Sequence, residues 1–314
     1  MIIRLNKWCH LELNQGHTDF QSVALPTELW HQLFWRRKDI HFFYLANNSL
    51  KKYNFLLFLI GKCTFVSIFI FMQRLIIDIG NTSVKLAVYN DDTLTMHQQA
   101  DNLTLEILQK IDKEFPMIKS SILSAVRDYP ETIDTFLKKK FFHITLNSET
   151  ALPFVNEYKT PATLGKDRIA AAAAAINIFP GENVLVIDAG TSITYDLITK
   201  KGTYLGGGIS PGIMMRFKAL NTFTGKLPLI TEIDDAPLIG DDTRSSIKSG
   251  VLNGILAEVN GIIESYGNRF DALKIIISGG DYNYFDKKLK NSIFATPNIV
   301  MQGLLEILKI NEDQ

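Results

Sequence analysis

Two segments of the chain repeat one pattern at a distance of about one domain. Residues 75–90 read LIIDIGNTSVKLAVYN and residues 184–199 read VLVIDAGTSITYDLIT. Each segment runs from an apolar strand through Asp-x-Gly and a polar stretch into a second strand, as in a β-hairpin with glycine at its turn. Because similar segments recur at a domain-sized spacing, the sequence predicts two similar α/β halves that face each other.

The residue types in the two turns favour phosphate binding. Gly80 and Gly190 have no Cβ, so backbone N–H groups can approach an anion closely. Both turns also carry hydroxyl donors, Thr82, Ser83, Thr191 and Ser192. Asp78 and Asp188 end their strands with carboxylates that can hold a cation or its waters. One such turn is explained by an ordinary polar hairpin, but two copies in the same order indicate a phosphate site.

Bulk composition narrows the class of protein. The chain has 314 residues, enough for two domains, and 46% of them are hydrophobic, enough for a sizeable core. The formal net charge is zero, which argues against a general nucleic-acid binder, because such proteins need a basic excess. Two cysteines are too few for a disulfide framework. We expect an enzyme or a ligand binder of a reducing compartment.

The first 71 residues differ from the rest in composition. They hold all three Trp, both Cys and four of the six His, with eight basic and four acidic residues. Such a shift marks a boundary. The predicted organisation is an atypical extension over 1–71, a first half over 72–182 and a second half over 183–314.

The apolar stretch from Phe55 to Met72 has three interpretations. It could be a membrane anchor over 55–71, since its length is near the lower limit for spanning. It could be an internal signal-like segment, although small residues do not follow it. The third interpretation is a misplaced start codon, with Met72 as the true first residue. Lys62 lies in the middle of the stretch, where a charge is costly in lipid, so we favour the misplaced start and expect no membrane partner.

Apolar spacing predicts several further elements. The stripe from Leu105 to Phe115 predicts a helix, and Ile118 to Ala125 predicts a strand. Six consecutive alanines in 167–179 predict a strong helix with close packing to a neighbour. A stripe from Ile247 to Ile262 predicts one long helix, and residues 273–278 predict a buried strand followed by Gly279-Gly280-Asp281.

Five motifs, in order across 72–314, resemble those of the type III pantothenate kinases, members of the actin/hexokinase/Hsp70-like ATPase superfamily. They are DIGNT at 78–82, TPATLGKDR at 160–168, DAGTSITYD at 188–196, GGGISPG at 206–212 and TGKLP at 224–228. Each motif alone has a plain explanation; Asp167 and Arg168, for example, could be a helix-start carboxylate and an exposed arginine. The resemblance implies an α/β fold of two ribonuclease-H-like halves with mixed sheets flanked by helices, and an active site in the cleft between them.

The resemblance also implies an activity and its residues. The activity is ATP-dependent phosphorylation of pantothenate to 4′-phosphopantothenate, the first step of coenzyme A biosynthesis. Asp167 matches the general base, and Asp188 matches the ligand of a monovalent cation, K⁺ or NH₄⁺. The implied ATP site comprises Asp78, Ile79, Gly80, Asn81, Thr82, Ser83, Val84, Lys85 and Thr191. The implied pantothenate site comprises Tyr158, Gly165, Lys166, Asp167, Arg168 and Thr224.

The resemblance further implies a divalent cation, Mg²⁺, a cytoplasmic enzyme, and a homodimer in which Thr224 reaches the site of the partner subunit. One departure is Gly225, where similar proteins often carry Ala. Two other functions stay open. One is a kinase of another small hydroxylated substrate, and the other is a non-catalytic regulator with the same fold. Against the regulator, Asp78, Asp167 and Asp188 are all present.

Overall fold

A computed structural model describes the backbone of residues 36–37, 40–45, 54–60 and 65–70, and residues 72–286 and 288–312 in full. Residues 1–73 with 90–93 form one compact unit, and residues 74–89 with 94–314 form the other. The predicted boundary between residues 182 and 183 lies inside the second unit and stays a prediction. The proposal of a misplaced start concerns residues that lie largely outside the described ones.

The first unit contains a four-stranded antiparallel sheet in the order β1-β2-β3-β4. Its strands are β1 (Arg36–Arg37), β2 (Ile40–Leu45), β3 (Asn54–Ile60) and β4 (Phe65–Ile70). The stretch considered as an anchor therefore contributes β3 and β4, while residues 61–64 and 71 lie outside the described residues. In the part of the chain that the structure describes, no helix is both long and apolar enough to cross a membrane.

The second compact unit is built around two larger sheets. The five-stranded sheet has the order β7-β6-β5-β8-β9, with β8 and β9 parallel. Its strands are β5 (Gln73–Ile79), β6 (Val84–Asn90), β7 (Thr93–Ala100), β8 (Ile118–Ala125) and β9 (Phe142–Thr145). Helices α1 (Leu105–Glu114) and α2 (Glu131–Lys140) connect its later strands. The predicted helix from Leu105 and the strand from Ile118 are confirmed.

The six-stranded sheet has the order β10-β13-β12-β11-β14-β15. Its strands are β10 (Val155–Asn156), β11 (Val184–Ala189), β12 (Ser192–Ile198), β13 (Thr203–Pro211), β14 (Lys274–Ser278) and β15 (Phe294–Ala295). The accompanying helices are α3 (Lys166–Ile178), α4 (Ile213–Phe223), α5 (Thr243–Lys248), α6 (Gly254–Gly267), α7 (Tyr282–Asp286) and α8 (Ile299–Glu312).

The two sheets share one topology, as the sequence repeat predicts. Leaving aside the short β10, each sheet places its first three strands side by side in chain order, with the fourth strand beside the first and the fifth beside the fourth. β11 pairs antiparallel with β12 and parallel with β14, so the six-stranded sheet is mixed. Because this order recurs, Asp78 and Asp188 occupy equivalent positions near the ends of β5 and β11. The predicted α/β fold of two similar halves is confirmed.

The long helix predicted from Ile247 to Ile262 is interrupted. A π-helical turn, Ser249–Asn253, lies between α5 and α6. Ser249 Oγ donates to the carbonyl of Leu238 at 2.7 Å, and Asn253 Nδ2 donates to the carbonyl of Pro237 at 3.0 Å. Both side chains therefore tie the widened turn to the preceding loop, a long-range effect that apolar spacing does not reveal.

The alanine-rich helix α3 packs closely against α8, as predicted. Ala170 to Ala175 are all buried. A Cβ placed on Gly303 of α8 would overlap the backbone carbonyl of Ala170. Small residues at this crossing therefore let the two backbones approach more closely than ordinary side chains allow.

This crossing gives a test with a matched control. Gly303→Ala is expected to lower the free energy of unfolding by about 1–3 kcal/mol, because the helices must separate to admit the methyl group. Gly261→Ala in α6, where an added Cβ meets no atom within 4 Å, is expected to raise it by about 0.5–1 kcal/mol through helix propensity. Urea unfolding measures both. Equal effects of the two substitutions would contradict close packing of α3 on α8.

Candidate active site

Three carboxylates from three elements come together in the second compact unit. Asp78 lies near the end of β5, Asp188 near the end of β11, and Asp167 in the first turn of α3. Asp78 is buried, whereas Asp167 and Asp188 are partly exposed. The charge of Asp167 acts on both of the other carboxyls. The structure thus brings together the three Asp residues singled out in the sequence.

Burial and mutual repulsion govern the protonation of the two strand-end carboxyls. Burial raises the pKa of Asp78 from 3.8 to about 6, opposed by Lys85 and reinforced by Asp167. Burial also raises the pKa of Asp188 to about 6, reinforced by Asp167 and opposed by Lys85. Carboxylates with raised pKa values and few cationic neighbours gain most from a bound cation.

A cation at this place would need ligands beyond the protein side chains. In residues 72–286 and 288–312, no cluster of three or more His, Cys, Asp or Glu side chains has the spacing of a metal site. Asp188 and Asp78 nevertheless supply hard oxygen donors of the kind that K⁺, NH₄⁺ and Mg²⁺ prefer. The donor set therefore fits a cation shared with phosphate oxygens and water better than a closed protein cage.

The first turn presents backbone and polar groups while its apolar side chains stay in the core. The N–H of Gly80 donates to the carbonyl of Ser83 at 3.0 Å, and a Cβ at Gly80 would lie 3.2 Å from that oxygen. Asn81 and Thr82 are exposed. Ile79 and Val84 are buried, so only their backbone groups are available to a nucleotide.

The second turn is held by backbone from two other segments. The N–H of Gly212 donates to the carbonyl of Thr191 at 3.1 Å, and the N–H of Asp281 donates to the carbonyl of Ala189 at 2.9 Å. A Cβ at Gly212 or at Gly279, whose φ is +92°, would overlap the backbone of this turn. The Gly-rich segment 206–212, whose residues up to Pro211 lie in β13 rather than in a loop, thus packs on the turn through Gly212, and Thr191 stays exposed.

Residues 279–281 pack against the second turn, although the sequence assigned them no role. The predicted strand at 273–278 is β14, the parallel neighbour of β11. Because parallel neighbours end at the same sheet edge, Gly279-Gly280-Asp281 emerges beside the second Asp-Gly-Thr turn. The signal in the sequence was a Gly-Gly-Asp run immediately after a buried strand.

The first turn of α3 presents Asp167 at a helix N-terminus. Asp167 Oδ1 accepts a hydrogen bond from the backbone N–H of Arg168 at 2.9 Å. A Cβ at Gly165 would overlap this same oxygen, so a larger residue there would displace the Asp167 carboxylate from this position. Lys166, the first helical residue, is partly exposed beside it.

Arg168 is buried, so the interpretation of an exposed arginine is wrong. Its Nε donates to Asp196 Oδ1 at 2.8 Å, and its Nη2 lies 2.7 Å from the same oxygen. Its Cζ lies 5.7 Å from the centre of the Tyr158 ring, within the range of a cation–π contact. The structure therefore groups Tyr158 and Arg168, both expected at the pantothenate site.

Thr224 lies apart from this group. It follows α4, is exposed, and donates from Oγ1 to the carbonyl of Leu220 at 2.6 Å. Among the contacts described for residues 72–286 and 288–312, none joins it to the three carboxylates. The adjacent Gly225 has no atom within 4 Å of an added Cβ, so alanine would fit there.

A cavity of about 910 Å³ is lined in part by Leu220 and Leu227, which flank Thr224 in the chain. It is lined by apolar side chains of α4, α5 and the loop between them, with Arg216 and Asp242 among its polar residues. It does not include the three carboxylates. This cavity and the three carboxylates are therefore separate features of the second compact unit.

Comparisons with known proteins agree on one family. The family model described as "Type III pantothenate kinase" matches residues 74–265. The type III pantothenate kinase of Christiangramia forsetii is 50% identical over 243 residues, covering 77% of this chain and all of the relative. The type III pantothenate kinase of Phocaeicola vulgatus is 43% identical over 241 residues, covering 76% of this chain and 99% of the relative.

A solved structure supports the fold. A Campylobacter jejuni protein described as a conserved Baf family transcriptional activator superposes with a TM-score of 0.51 at 23% identity. The match covers 76% of this chain and 100% of that chain. At this identity the likeness concerns the fold alone.

Proposed function

The chain belongs to the type III pantothenate kinase family, and from this premise we propose that it transfers the γ-phosphoryl group of ATP to the 4′-hydroxyl of pantothenate. The product is 4′-phosphopantothenate, formed in the first step of coenzyme A biosynthesis. The observation that carries the proposal is the meeting of Asp78, Asp167 and Asp188 beside two Gly-Thr/Ser turns. Phosphoryl transfer asks a protein mainly for positioning and charge neutralisation, which such a group supplies.

ATP is proposed to lie along the first turn, from Asp78 to Lys85, with Thr191 contributing from the second turn. Backbone N–H groups and exposed side chains of these turns bind phosphate oxygens. A bound Mg²⁺ and a monovalent cation would offset phosphate charge. Asp188 is the proposed ligand of the monovalent cation, supported by a carboxyl whose pKa burial raises.

Asp167 is the proposed general base. Its place at the start of α3 orients the carboxylate while leaving it partly exposed to an incoming hydroxyl. It accepts a hydrogen bond from the 4′-hydroxyl, aligns that oxygen with the γ-phosphorus, and takes the proton as the P–O bond forms. ADP leaves with the electron pair of the broken P–O bond.

The acceptor is proposed to lie beside Tyr158 and residues 165–168. Arg168 is the only cation among these that is buried, and its guanidinium suits the carboxylate of pantothenate better than an ammonium would. Tyr158 packs over that guanidinium. Gly165 and Lys166 border the same helix start.

A cytoplasmic homodimer is proposed for the assembled enzyme, with Thr224 reaching the site of the partner subunit. Phe223, next to Thr224 in the chain, is 86% exposed, and Leu238 and Ile239 of the loop between α4 and α5 are 82% and 83% exposed. Large apolar side chains exposed to this extent are consistent with an interface between subunits. The proposal predicts a concentration-dependent dimer in sedimentation experiments.

ADP release measured with a panel of acceptor substrates distinguishes the proposed function from two others, a kinase of another hydroxylated compound and a non-catalytic regulator. We expect the full chain with ATP, Mg²⁺ and K⁺ to release ADP when pantothenate is added and not when a hexose or glycerate replaces it. ADP release with another hydroxylated compound alone would indicate a different kinase. ATP binding without ADP release for any acceptor would favour a non-catalytic regulator.

A further inference from the structure

We propose that Asp196 is a positioning residue of the acceptor site, which fixes Arg168 and, through it, the ring of Tyr158. The inference rests on the proposed function, because it takes Arg168 and Tyr158 as pantothenate contacts. Asp196 itself lies on β12, in the interior of the six-stranded sheet, and is fully buried. It therefore acts on the substrate only through its partners.

One carboxylate oxygen of Asp196, Oδ1, contacts both Arg168 and Tyr204. Oδ1 accepts hydrogen bonds from Arg168 Nε at 2.8 Å and from the hydroxyl of Tyr204 at 2.6 Å, with Arg168 Nη2 at 2.7 Å. The contact of Arg168 Nη2 with Oδ1 is an ion pair without the geometry of a hydrogen bond. Oδ2 of Asp196 has no hydrogen-bond partner among the described residues. Asp196 therefore holds Arg168 and Tyr204 through its oxygen Oδ1 alone.

Aromatic packing extends this cluster to the substrate side. The ring of Tyr158 lies 6.3 Å from the ring of Tyr204, centre to centre, and 5.7 Å from Arg168 Cζ. A Cβ at Gly206, whose φ is +96°, would lie 3.0 Å from the Tyr158 ring. Tyr158 is therefore held between Arg168, Tyr204 and Gly206 of β13.

The hydrogen bonds of Asp196 lead to the acceptor side of the site, while only its charge reaches Asp188. The cluster connects β12 to the first turn of α3, where Arg168 directly follows Asp167. The residues of the first phosphate turn, 78–85, belong to the other sheet. Removing the charge of Asp196 leaves the buried guanidinium without its counter-ion, and the guanidinium must then shift or attract water.

The test is a comparison of Michaelis constants. Asp196→Asn keeps the shape and the acceptor oxygen but removes the charge, so we expect the KM for pantothenate to rise about tenfold or more. The KM for ATP is expected to rise much less, because the hydrogen bonds of Asp196 go to Arg168 and Tyr204 and its charge alone reaches Asp188 of the nucleotide side. A loss of folded protein alone would not produce this split.

Glu312→Gln is the matched control. Glu312 also pairs with an arginine, Arg74, whose Nη2 lies 2.7 Å from Oε2, and it accepts a hydrogen bond from Ser120. It lies at the end of α8, and its partners are on β5 and β8. The control is expected to lower thermal stability while leaving both Michaelis constants unchanged.

Tyr204→Phe is a second variant that tests the same inference if Asp196→Asn does not fold. It removes one donor to Oδ1 and keeps the ion pair, so we expect a rise of about threefold in the KM for pantothenate. An unchanged KM in the folded variants, or an equal rise for ATP or in Glu312→Gln, would overturn the inference. A wild-type chain with no pantothenate-dependent ADP release would instead overturn the proposed function on which it rests.

Discussion

Asp167→Asn is expected to lower turnover by about 10²–10⁴-fold, the usual contribution of a general base in an enzyme. An amide cannot take the proton of the 4′-hydroxyl. It still offers an oxygen to the backbone N–H of Arg168, the contact that Asp167 makes at 2.9 Å. The start of α3 should therefore keep its geometry, and the affinities for ATP and pantothenate should stay close to those of the wild type.

Calorimetry for binding and ADP release for turnover measure these two effects separately. Glu106→Gln is the matched control, since Glu106 is also a carboxylate in the first turn of a helix, α1. We expect the control to keep wild-type turnover. Wild-type turnover in Asp167→Asn would refute the role of Asp167 as base, and loss of both ligands' binding would indicate a structural role instead.

Asp78→Asn and Asp188→Asn are expected to abolish ADP release while making the ligand-free protein more stable at neutral pH. Burial raises the pKa of each carboxyl from 3.8 to about 6. The folded state therefore holds these protons more tightly than the unfolded state does. Ionising them costs folding free energy, a penalty that is complete above about pH 6 and absent below about pH 4.

The amide variants remove that penalty. Each is expected to raise the free energy of unfolding by at most about 3 kcal/mol near pH 7.5 and to change it little near pH 4. The two gains should not add, because the charges of Asp78 and Asp188 act on each other. Urea unfolding at both pH values measures the effect.

Asp101→Asn is the control for these two variants, because Asp101 is an exposed carboxylate outside the site. It is expected to change neither stability nor activity. Lower stability of both site variants near neutral pH would contradict the idea that these carboxylates are kept charged for a cation at the expense of the fold.

Local patterns in the sequence predicted much of the fold. The duplicated Asp-x-Gly hairpins predicted two halves of one topology, because strand, turn and strand are encoded within sixteen neighbouring residues. The alanine run predicted that α3 packs closely against another helix, because small side chains let two helix backbones approach each other. It did not identify α8 as that helix. The apolar spacing did not predict the π turn between α5 and α6, which accompanies hydrogen bonds to the carbonyls of Pro237 and Leu238 in a distant loop.

In the candidate site too, the sequence predicted the features encoded in short motifs and missed those that depend on contacts between distant residues. The Asp-Gly-Thr turns and Asp167 carry their chemistry in short motifs, so the sequence pointed to them. The Arg168–Asp196 pair joins residues 28 positions apart on different elements, and no local spacing reveals it. Residues 279–281 reach the second turn only because β14 lies beside β11. Such contacts depend on sheet order, which the motifs do not contain.

The most direct measurement is mass spectrometry of pantothenate incubated with the full chain, ATP, Mg²⁺ and K⁺, alongside the Asp167→Asn variant. We expect the wild-type chain to convert pantothenate to a product heavier by one phosphoryl group, in step with ADP release, and the variant to form almost none. Unmodified pantothenate with a folded, ATP-binding wild-type chain would contradict the assignment of this site as a pantothenate kinase.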